Sequence, residues 1–254
     1  MSATRRALRA LLLFTSLIAF PLTLSAQDAG AAWDYTGKRG PEAWAKLDPA
    51  YKACSAGKEQ SPLDIRNAKR NKALKPIEFH YIAGQATLEN TGHTVKVTVA
   101  PGSYMIANGT RYDLVQFHFH HPSEETVKGK LSDMVVHLVH KSADGKLAVI
   151  AIRLNEGAPN AVLASLWEHL PTKVGATDKT SEEINAAGLL PADRSYWTYT
   201  GSLTTPPCTE GVQWFVFEQE KELSREQLRA FAALYKFNSR PLQNPHGRKI
   251  EASE

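Results

Sequence analysis

Cysteine is scarce in this chain, which has two, Cys54 and Cys208, among 254 residues. No Cys-x-x-Cys spacing occurs, so the pattern disfavours a zinc site built on thiolates. Internal repeats, low-complexity tracts and linker-like stretches are absent as well. These absences indicate a chain that forms one domain rather than an array or a string of modules.

Long apolar runs are also lacking, apart from residues 10–20. That run follows three arginines and precedes Leu24-Ser25-Ala26, an order typical of a signal peptide cut after Ala26. It is too short to predict a membrane span. We therefore predict a signal peptide over residues 1–26 and an exported mature protein, periplasmic or secreted, with no stable membrane span. The export route stays open, since residues 4–8 also resemble a twin-arginine signal.

Excess charge of either sign disappears once the leader is removed. The leader carries three arginines and no acidic residue, so subtracting three from the formal net charge of +4 leaves +1. No basic patch remains that would predict nucleic-acid binding. Both cysteines lie in the exported part, where an even pair predicts one disulfide between Cys54 and Cys208.

Short segments of alternating polarity, separated by turn signals such as Thr91-Gly92, dominate the chain beyond residue 60 and predict strands. Two helices are predicted, one from a cap at Asn160 to Pro171, the other from a capping box formed by Ser224 and Gln227. The fold class is therefore mainly β (α+β), with a large sheet, a few peripheral helices and a single domain over residues 27–254. The predicted strands cover residues 77–82, 87–90, 93–99, 112–120, 135–140, 147–153 and 211–218.

Histidines stand out within two of these strands. His118 and His120 are two residues apart, so on a strand they project from one face, beside Gln116. His137 follows far enough downstream for the chain to turn near Lys128-Gly129-Lys130 and return antiparallel. Three imidazoles would then converge, and three nitrogens with one open position describe a catalytic zinc site.

Further motifs occur in a fixed order around these histidines. In this combination they resemble the α-class carbonic anhydrases over roughly residues 33–250, whereas none of them would suffice alone. The motifs are Trp33-x-Tyr35, Gly40-Pro41-x-x-Trp44, Gln60-Ser61-Pro62-Leu63-Asp64-Ile65, Gln116-Phe117-His118-Phe119-His120, Ser123-Glu124, His137-Leu138-Val139-His140, Ser202-Leu203-Thr204-Thr205-Pro206-Pro207 and Asn238-Ser239-Arg240-Pro241.

The resemblance implies a mostly antiparallel, twisted sheet of about ten strands, with the metal at the base of a conical cavity. It implies reversible hydration of CO2 to bicarbonate and a proton, by attack of a zinc hydroxide on carbon dioxide. The cofactor is Zn²⁺, and the implied ligands are His118, His120 and His137. A cis peptide bond between Pro206 and Pro207 is expected on the same ground.

Roles in catalysis follow from the same resemblance. Thr204 matches the residue that accepts a hydrogen bond from the hydroxide, and Glu124 the carboxylate that accepts from the threonine. Thr205 would line the anion position. His93 matches the proton shuttle, helped by Tyr35, because an imidazole titrates near the working pH.

Apolar side chains would form the pocket for carbon dioxide, which is small and has no net dipole. Each of these residues on its own is equally compatible with an ordinary hydrophobic core. The residues that match this wall are Val139, Val149, Leu203, Val212 and Trp214.

Three positions depart from the best-known pattern of the family. Many members carry a carboxylate two residues before the third ligand, where this chain has Val135, and a histidine where it has Glu125. We hypothesise that Glu125 takes over the missing role and holds His137, and we place Gln116, beside His118 and His120, among the residues that support the ligands. Lys96 occupies a cavity position that is often Gln or Asn.

Two alternatives stay open at this stage. The spacing His118-x-His120-x-x-x-Glu124 also fits the first half of a cupin motif, which would bind iron or manganese on a jelly roll. A non-catalytic relative could keep the fold as a binding module, although such proteins usually lose a ligand histidine. Oligomeric state, monomer or homodimer, is not predicted.

Overall fold

A computed structural model describes residues 32–254. The predicted signal peptide, residues 1–26, lies outside the described residues. Strands dominate, as predicted. They are β1 (Asp64–Ile65), β2 (Lys69–Arg70), β3 (Glu78–His80), β4 (Gly84–Asn90), β5 (Val95–Val99), β6 (Tyr104–Ala107), β7 (Thr110–His120), β8 (Thr126–Val127), β9 (Met134–Ser142), β10 (Leu147–Glu156), β11 (Thr177–Ile184), β12 (Tyr196–Ser202), β13 (Glu210–Phe217), β14 (Lys221–Leu223) and β15 (Glu251–Ala252).

The part of the chain that the structure describes has four short α-helices outside the sheet: α1 (Trp44–Leu47), α2 (Ala53–Ala56), α3 (Ala161–Trp167) and α4 (Arg225–Leu234). Both predicted helices are confirmed. The Asn160 side chain accepts from the backbone N–H of Leu163 at the start of α3, and Ser224 with Gln227 forms the capping box of α4. Within residues 32–254 no helix is long and apolar enough to cross a membrane.

One large sheet organises residues 32–254: its main path has ten strands, as predicted, and three more strands pair off this path. The strands off the main path are short: β3 and β14 have three residues each, and β6 has four. Along its main path the order is β11-β4-β5-β7-β9-β10-β13-β12-β15-β2, and β1 pairs with β8 in a separate small sheet. Most neighbours are antiparallel, but β10 is parallel to β13 and β14, and β2 to β15.

Burial on both faces of β9 and β10 explains their near-continuous apolar sequences. Leu138 of β9 and Ile150 of β10 lie on one face of the sheet and belong to the main core, which also contains Phe231 of α4. The other face contributes to a second apolar cluster, which includes Val139, Val149 and Trp214 and which we call the inner cluster. The inner cluster lies on the histidine-bearing face of β9, so the fold surrounds His137 with apolar side chains.

Candidate metal centre

The three histidines meet through the pairing of β7 with β9. These strands are antiparallel, and their register sets His118 directly opposite His137. His120 lies two residues further along β7 on the same face as His118. One ligand atom from each ring lies within 4.8 Å of the others. The predicted convergence of three imidazoles from neighbouring antiparallel strands is therefore confirmed.

Each ring on β7 is held from behind by an oxygen. His118 donates its Nδ1–H to Oε1 of Gln116, 2.9 Å away. His120 donates its Nδ1–H to the backbone carbonyl of Asn238 at 2.7 Å. Because these oxygens are acceptors, the protons must lie on the two Nδ1 atoms, and each Nε2 keeps its lone pair for a metal.

His137 is held from behind by Glu125. Its Nε2 lies 3.1 Å from Oε1 and 3.3 Å from Oε2 of that carboxylate, and both side chains are almost completely buried. Val135 lies two residues before His137 on the same strand and packs in the inner cluster. Glu125 therefore supplies to His137 the carboxylate that position 135, a valine, lacks.

These residues fit a zinc ion. His120 Nε2 is buried and has no hydrogen-bond partner among residues 32–254, which is unusual for a ring nitrogen and leaves it available to a metal. Burial lowers the pKa of His118 to about 3 and the pKa of His120 well below its usual value, so both rings are neutral. Burial also disfavours His137 protonation, but Glu125 outweighs this and raises its pKa. Three imidazole nitrogens are a common ligand set of catalytic zinc.

Glu124 is buried beside the metal centre and has one firm partner. The backbone N–H of Arg240 donates to its Oε1 at 2.8 Å. Burial raises the pKa of Glu124 to about 7, while the hydroxyl of Thr204 acts in the opposite direction. Oε2 nevertheless has no well-formed hydrogen bond, so the contact between Thr204 and Glu124 is a loose one.

An open cavity of about 180 Å³ leads to the histidines. His93, Tyr35 and Thr205 line it together with His118 and His120, so the predicted shuttle and anion residues share one space with the ligands. The other residues around it are Trp33, Thr91, Thr94, Lys96 and Gln116.

The ring of His93 stacks on Trp33 with a centroid distance of 3.7 Å and an interplanar angle of 13°. Its Nε2 donates to the backbone carbonyl of Trp33 at 3.1 Å. Tyr35 lies nearby, its ring 6.4 Å from that of His93, and its burial raises its pKa well above the usual value. The shuttle position is therefore a half-exposed imidazole supported by an aromatic face.

The predicted apolar wall lies against His137. Val139, Val149, Val212 and Trp214 are buried together in the inner cluster, and Leu203 packs at its edge. The ring of Trp214 is 4.9 Å from the ring of His137. The five side chains are thus brought together, although they lie beside the open cavity rather than around its mouth.

Lys96 faces the same cavity from β5. It is opposite His118 in the register of β5 and β7, and its Nζ lies 2.6 Å from Oε2 of Glu89. An ion pair therefore stands on the cavity wall.

The predicted disulfide is present and adjoins the threonine loop. Cys54 and Cys208, separated by 154 positions, are bonded, and the backbone N–H of Cys208 donates to the carbonyl of Thr205 at 2.8 Å. The guanidinium of Arg240 donates to the carbonyl of Cys54 at 3.0 Å. The peptide bond between Pro206 and Pro207 is cis, as expected.

Three contributions to the site were not anticipated from the sequence. They are the Asn238 carbonyl behind His120, the Arg240 N–H on Glu124 and the Trp33 ring under His93. All three residues lie in motifs that carry the family resemblance. The motifs could have drawn attention to these positions, but the roles of Asn238 and Arg240 use backbone atoms and are independent of side-chain type.

Comparison with known proteins agrees with this geometry. A family model described as eukaryotic-type carbonic anhydrase matches residues 39–254. A carbonic anhydrase of Klebsiella pneumoniae is 42% identical over 221 residues, covering 86% of this chain and 89% of the relative. The structure of an α-carbonic anhydrase from Thermovibrio ammonificans with the inhibitor sulfanilamide has 40% identity and a TM-score of 0.85, over 89% of this chain and 100% of that one. A hyperthermostable carbonic anhydrase from an active hydrothermal vent chimney has 45% identity and a TM-score of 0.85, over 88% and 100%.

Proposed function

Because this chain belongs to the eukaryotic-type, or α-class, carbonic anhydrase family and is an enzyme of the lyase class, we propose that it catalyses the zinc-dependent, reversible hydration of CO2 to bicarbonate and a proton. The observation that carries the proposal is the three-imidazole cluster, with ligand atoms within 4.8 Å of one another. The family and the large sheet show the cupin interpretation to be wrong.

We propose that His118 and His120 hold the metal through Nε2 and His137 through Nδ1, since their other ring nitrogens are engaged by protein oxygens. When bound, zinc lowers the pKa of a water ligand and so supplies a hydroxide near neutral pH, an effect for which carbonic anhydrase itself is the standard example. The carboxylate of Glu125 fixes the His137 ring and increases its basicity, which supports metal retention.

Thr204 and Glu124 would orient the nucleophile. Glu124 takes the Arg240 N–H on one oxygen and leaves the other free in a buried position. A hydroxyl that donates to that free oxygen must use its own lone pair to accept from the nucleophile. Thr204 would thus fix the direction of the attacking lone pair, which is an effect of orientation rather than of binding strength.

Carbon dioxide would bind against the inner cluster, beside His137. The buried side chains of Val139 and Trp214 make this region apolar, and the Trp214 ring lies 4.9 Å from the His137 ring. An apolar surface suits a substrate that has no net charge and no net dipole. Thr205, which lines the open cavity, would contact bicarbonate on its way out.

The proton would leave through His93. Its ring stands at the cavity with access to solvent and is supported by Trp33. An imidazole can accept a proton from ordered water and release it to buffer at neutral pH. Tyr35 lines the same cavity and would help to order that water.

We propose that residues 27–254 form one catalytic domain that acts in the periplasm or outside the cell. The bond between Cys54 and Cys208 supports an oxidising location. The leader over residues 1–26 would direct export.

Metal analysis combined with a hydration assay tests the function. Purified wild-type protein should contain one zinc per chain and hydrate CO2 in stopped flow, whereas His118→Ala should lose both properties. His246→Ala changes an exposed histidine outside the cavity and should keep both. A background-level rate for the zinc-loaded wild type would favour a binding module over an enzyme, and iron or manganese in place of zinc would contradict the assigned cofactor.

A further inference from the structure

A second cavity, of about 530 Å³, shares no lining residue with the one that leads to the histidines. It lies between the segment 63–69 and the C-terminal segment 242–250. Its volume falls within the range of about 300–1,000 Å³ typical of small-molecule sites. We call it the C-terminal cleft. Nothing in the proposed hydration chemistry uses it.

Part of the cleft is apolar. Leu63 and Ile250 are buried in its wall, and Leu242 reaches into the open with 44% of its surface exposed. A ligand that covers such surface gains free energy in proportion to the apolar area removed from water. The apolar wall therefore suits the hydrocarbon body of a ligand rather than a small hydrated ion.

The rest of the wall is cationic. Four basic side chains line the cleft against one carboxylate, that of Asp64. Asp64 is already engaged: it pairs with Arg66 and accepts from the Thr126 hydroxyl at 2.7 Å and the Gly129 N–H at 2.9 Å. The cleft thus carries a positive charge that its own acid does not neutralise.

Lys69 and Lys249 are the cations free to contact a ligand. Both are exposed, and neither side chain forms an ion pair within residues 32–254. The backbone N–H of Lys69 donates to the carbonyl of Ile250 at 3.0 Å, so the pairing of β2 with β15 brings the two lysines to the same part of the cleft. Two ammonium groups on neighbouring segments can share one anionic group.

Arg248 adds charge from a fixed position. Its guanidinium donates to the backbone carbonyls of Gln60 at 2.7 Å, Thr200 at 2.9 Å and Pro245 at 3.0 Å. Carbonyls hold the group in place without cancelling its charge. Carboxylates elsewhere, those of Glu59 and Glu210, act on it electrostatically but do not line the cleft. Most of its donors are used, so we expect it to attract an anion rather than bind it directly.

We propose that the C-terminal cleft binds a small amphipathic organic anion, such as a carboxylate or sulfonate carried on an aromatic or aliphatic body. The body would lie mainly against the exposed side chain of Leu242, above the buried Leu63 and Ile250, and the anionic group between Lys69 and Lys249. A neutral apolar molecule would leave the lysines without an anionic partner, and a bare inorganic anion would leave Leu242 exposed. This site is independent of the proposed hydration activity.

The test is a fluorescence titration of zinc-loaded wild-type protein with 8-anilinonaphthalene-1-sulfonate, an aromatic sulfonate. One saturable site per chain is expected. Lys69→Glu with Lys249→Glu should raise its dissociation constant about tenfold or more, because reversing two partly exposed charges removes attraction and adds repulsion. The control is Lys173→Glu with Lys179→Glu, which makes the same change of net charge on exposed residues that do not line the cleft. It should change the dissociation constant less than about twofold.

Two further arms separate the components of the proposal. The uncharged analogue N-phenyl-1-naphthylamine should bind about tenfold more weakly, since it lacks the anionic group. Leu242→Ser should weaken binding of both probes by removing apolar contact without changing the charge of the cleft. A crystal of the wild type soaked with the sulfonate should show it in the cleft. Equal effects of the two lysine pairs, unsaturable binding, or density for the probe elsewhere would each overturn the proposal.

Discussion

The carboxylate of Glu125 accepts a hydrogen bond from His137, whose Nε2 lies 3.1 Å from one carboxylate oxygen and 3.3 Å from the other. Both residues are buried, and Val135, on the same strand as His137, has an apolar side chain that packs in the inner cluster. The only carboxylate that holds His137 within residues 32–254 by a hydrogen bond thus comes from the segment after Glu124, not from the strand that carries the histidine.

Glu125→Gln should weaken zinc binding by about 10–100-fold. A neutral amide in place of the carboxylate makes the metal-facing nitrogen of His137 less basic, and so a weaker zinc ligand. Competition with a chelator of known affinity measures this without reference to activity. Glu183→Gln, an exposed glutamate on β11, is the matched control and should bind zinc like the wild type.

The double exchange Glu125→His with Val135→Glu provides the sharper control. It places the acid on the strand, two residues before His137, and should recover part of the zinc affinity that Glu125→His alone loses. Unchanged zinc affinity in Glu125→Gln would show that this contact does not contribute to metal retention.

Thr204→Val should lower kcat by about 10–100-fold with zinc content unchanged, because the side chain keeps its shape but loses the hydroxyl that orients the nucleophile. Thr204→Ser should retain most of the rate. Stopped-flow hydration with parallel metal analysis distinguishes this from metal loss. A Thr204→Val enzyme as fast as the wild type would remove Thr204 from the mechanism.

His93→Ala should lower kcat by roughly an order of magnitude or more in dilute buffer while kcat/KM stays unchanged, because proton release is slowed and CO2 conversion is not. High concentrations of imidazole buffer should restore the rate by accepting the proton directly. His121→Ala, whose ring contacts the carbonyl of Lys236, should show neither effect. A loss of kcat/KM in His93→Ala would point to a structural role instead.

His140 predicts a pH dependence of stability. Its Nδ1–H donates to the Leu138 carbonyl, its Nε2 accepts from the Tyr81 hydroxyl, and burial lowers its pKa from 6.5 to about 4. As the pH falls, His140 therefore takes up a proton in the unfolded chain before it does so in the folded protein. The free energy of unfolding keeps the full contribution of neutral His140 above pH 6.5 and loses it towards pH 4. The loss amounts to about 3 kcal/mol.

Urea unfolding of the wild type and His140→Gln from pH 7 to pH 4 measures this effect. The free energy of unfolding of the wild type should fall more steeply than that of the variant, whatever the variant's stability at neutral pH. If the free energies of unfolding of the two proteins fall in parallel with pH, His140 is not the source of the pH dependence.

Some strands could be recognised from the sequence because the spacing of their apolar residues is enough to define them. The alternation over β7 and the return strand β9 predicted the meeting of His118, His120 and His137 correctly. In contrast, β11 was missed because its residues are mostly polar and exposed, as suits an edge strand, and show little apolar alternation.

The site shows the same division. Glu125 could be anticipated because an acid missing at one position and present at another is visible in the sequence. The Asn238 carbonyl behind His120 could not, because a backbone oxygen exists at every residue and only the folded path of the chain brings this one to the ring. The stacking of Trp33 on His93 joins segments 60 residues apart, and neither residue's local pattern reveals its partner.

The most direct test of the zinc-dependent mechanism is stopped-flow CO2 hydration by one preparation of the protein in three states: as purified, after zinc removal by a chelator, and after zinc is added back. We predict a rate far above background, its loss on zinc removal, and its return with one zinc per chain, while His118→Ala stays at background throughout. A hydration rate that survives complete zinc removal, or a zinc-loaded wild type no faster than His118→Ala, would contradict the zinc-dependent mechanism.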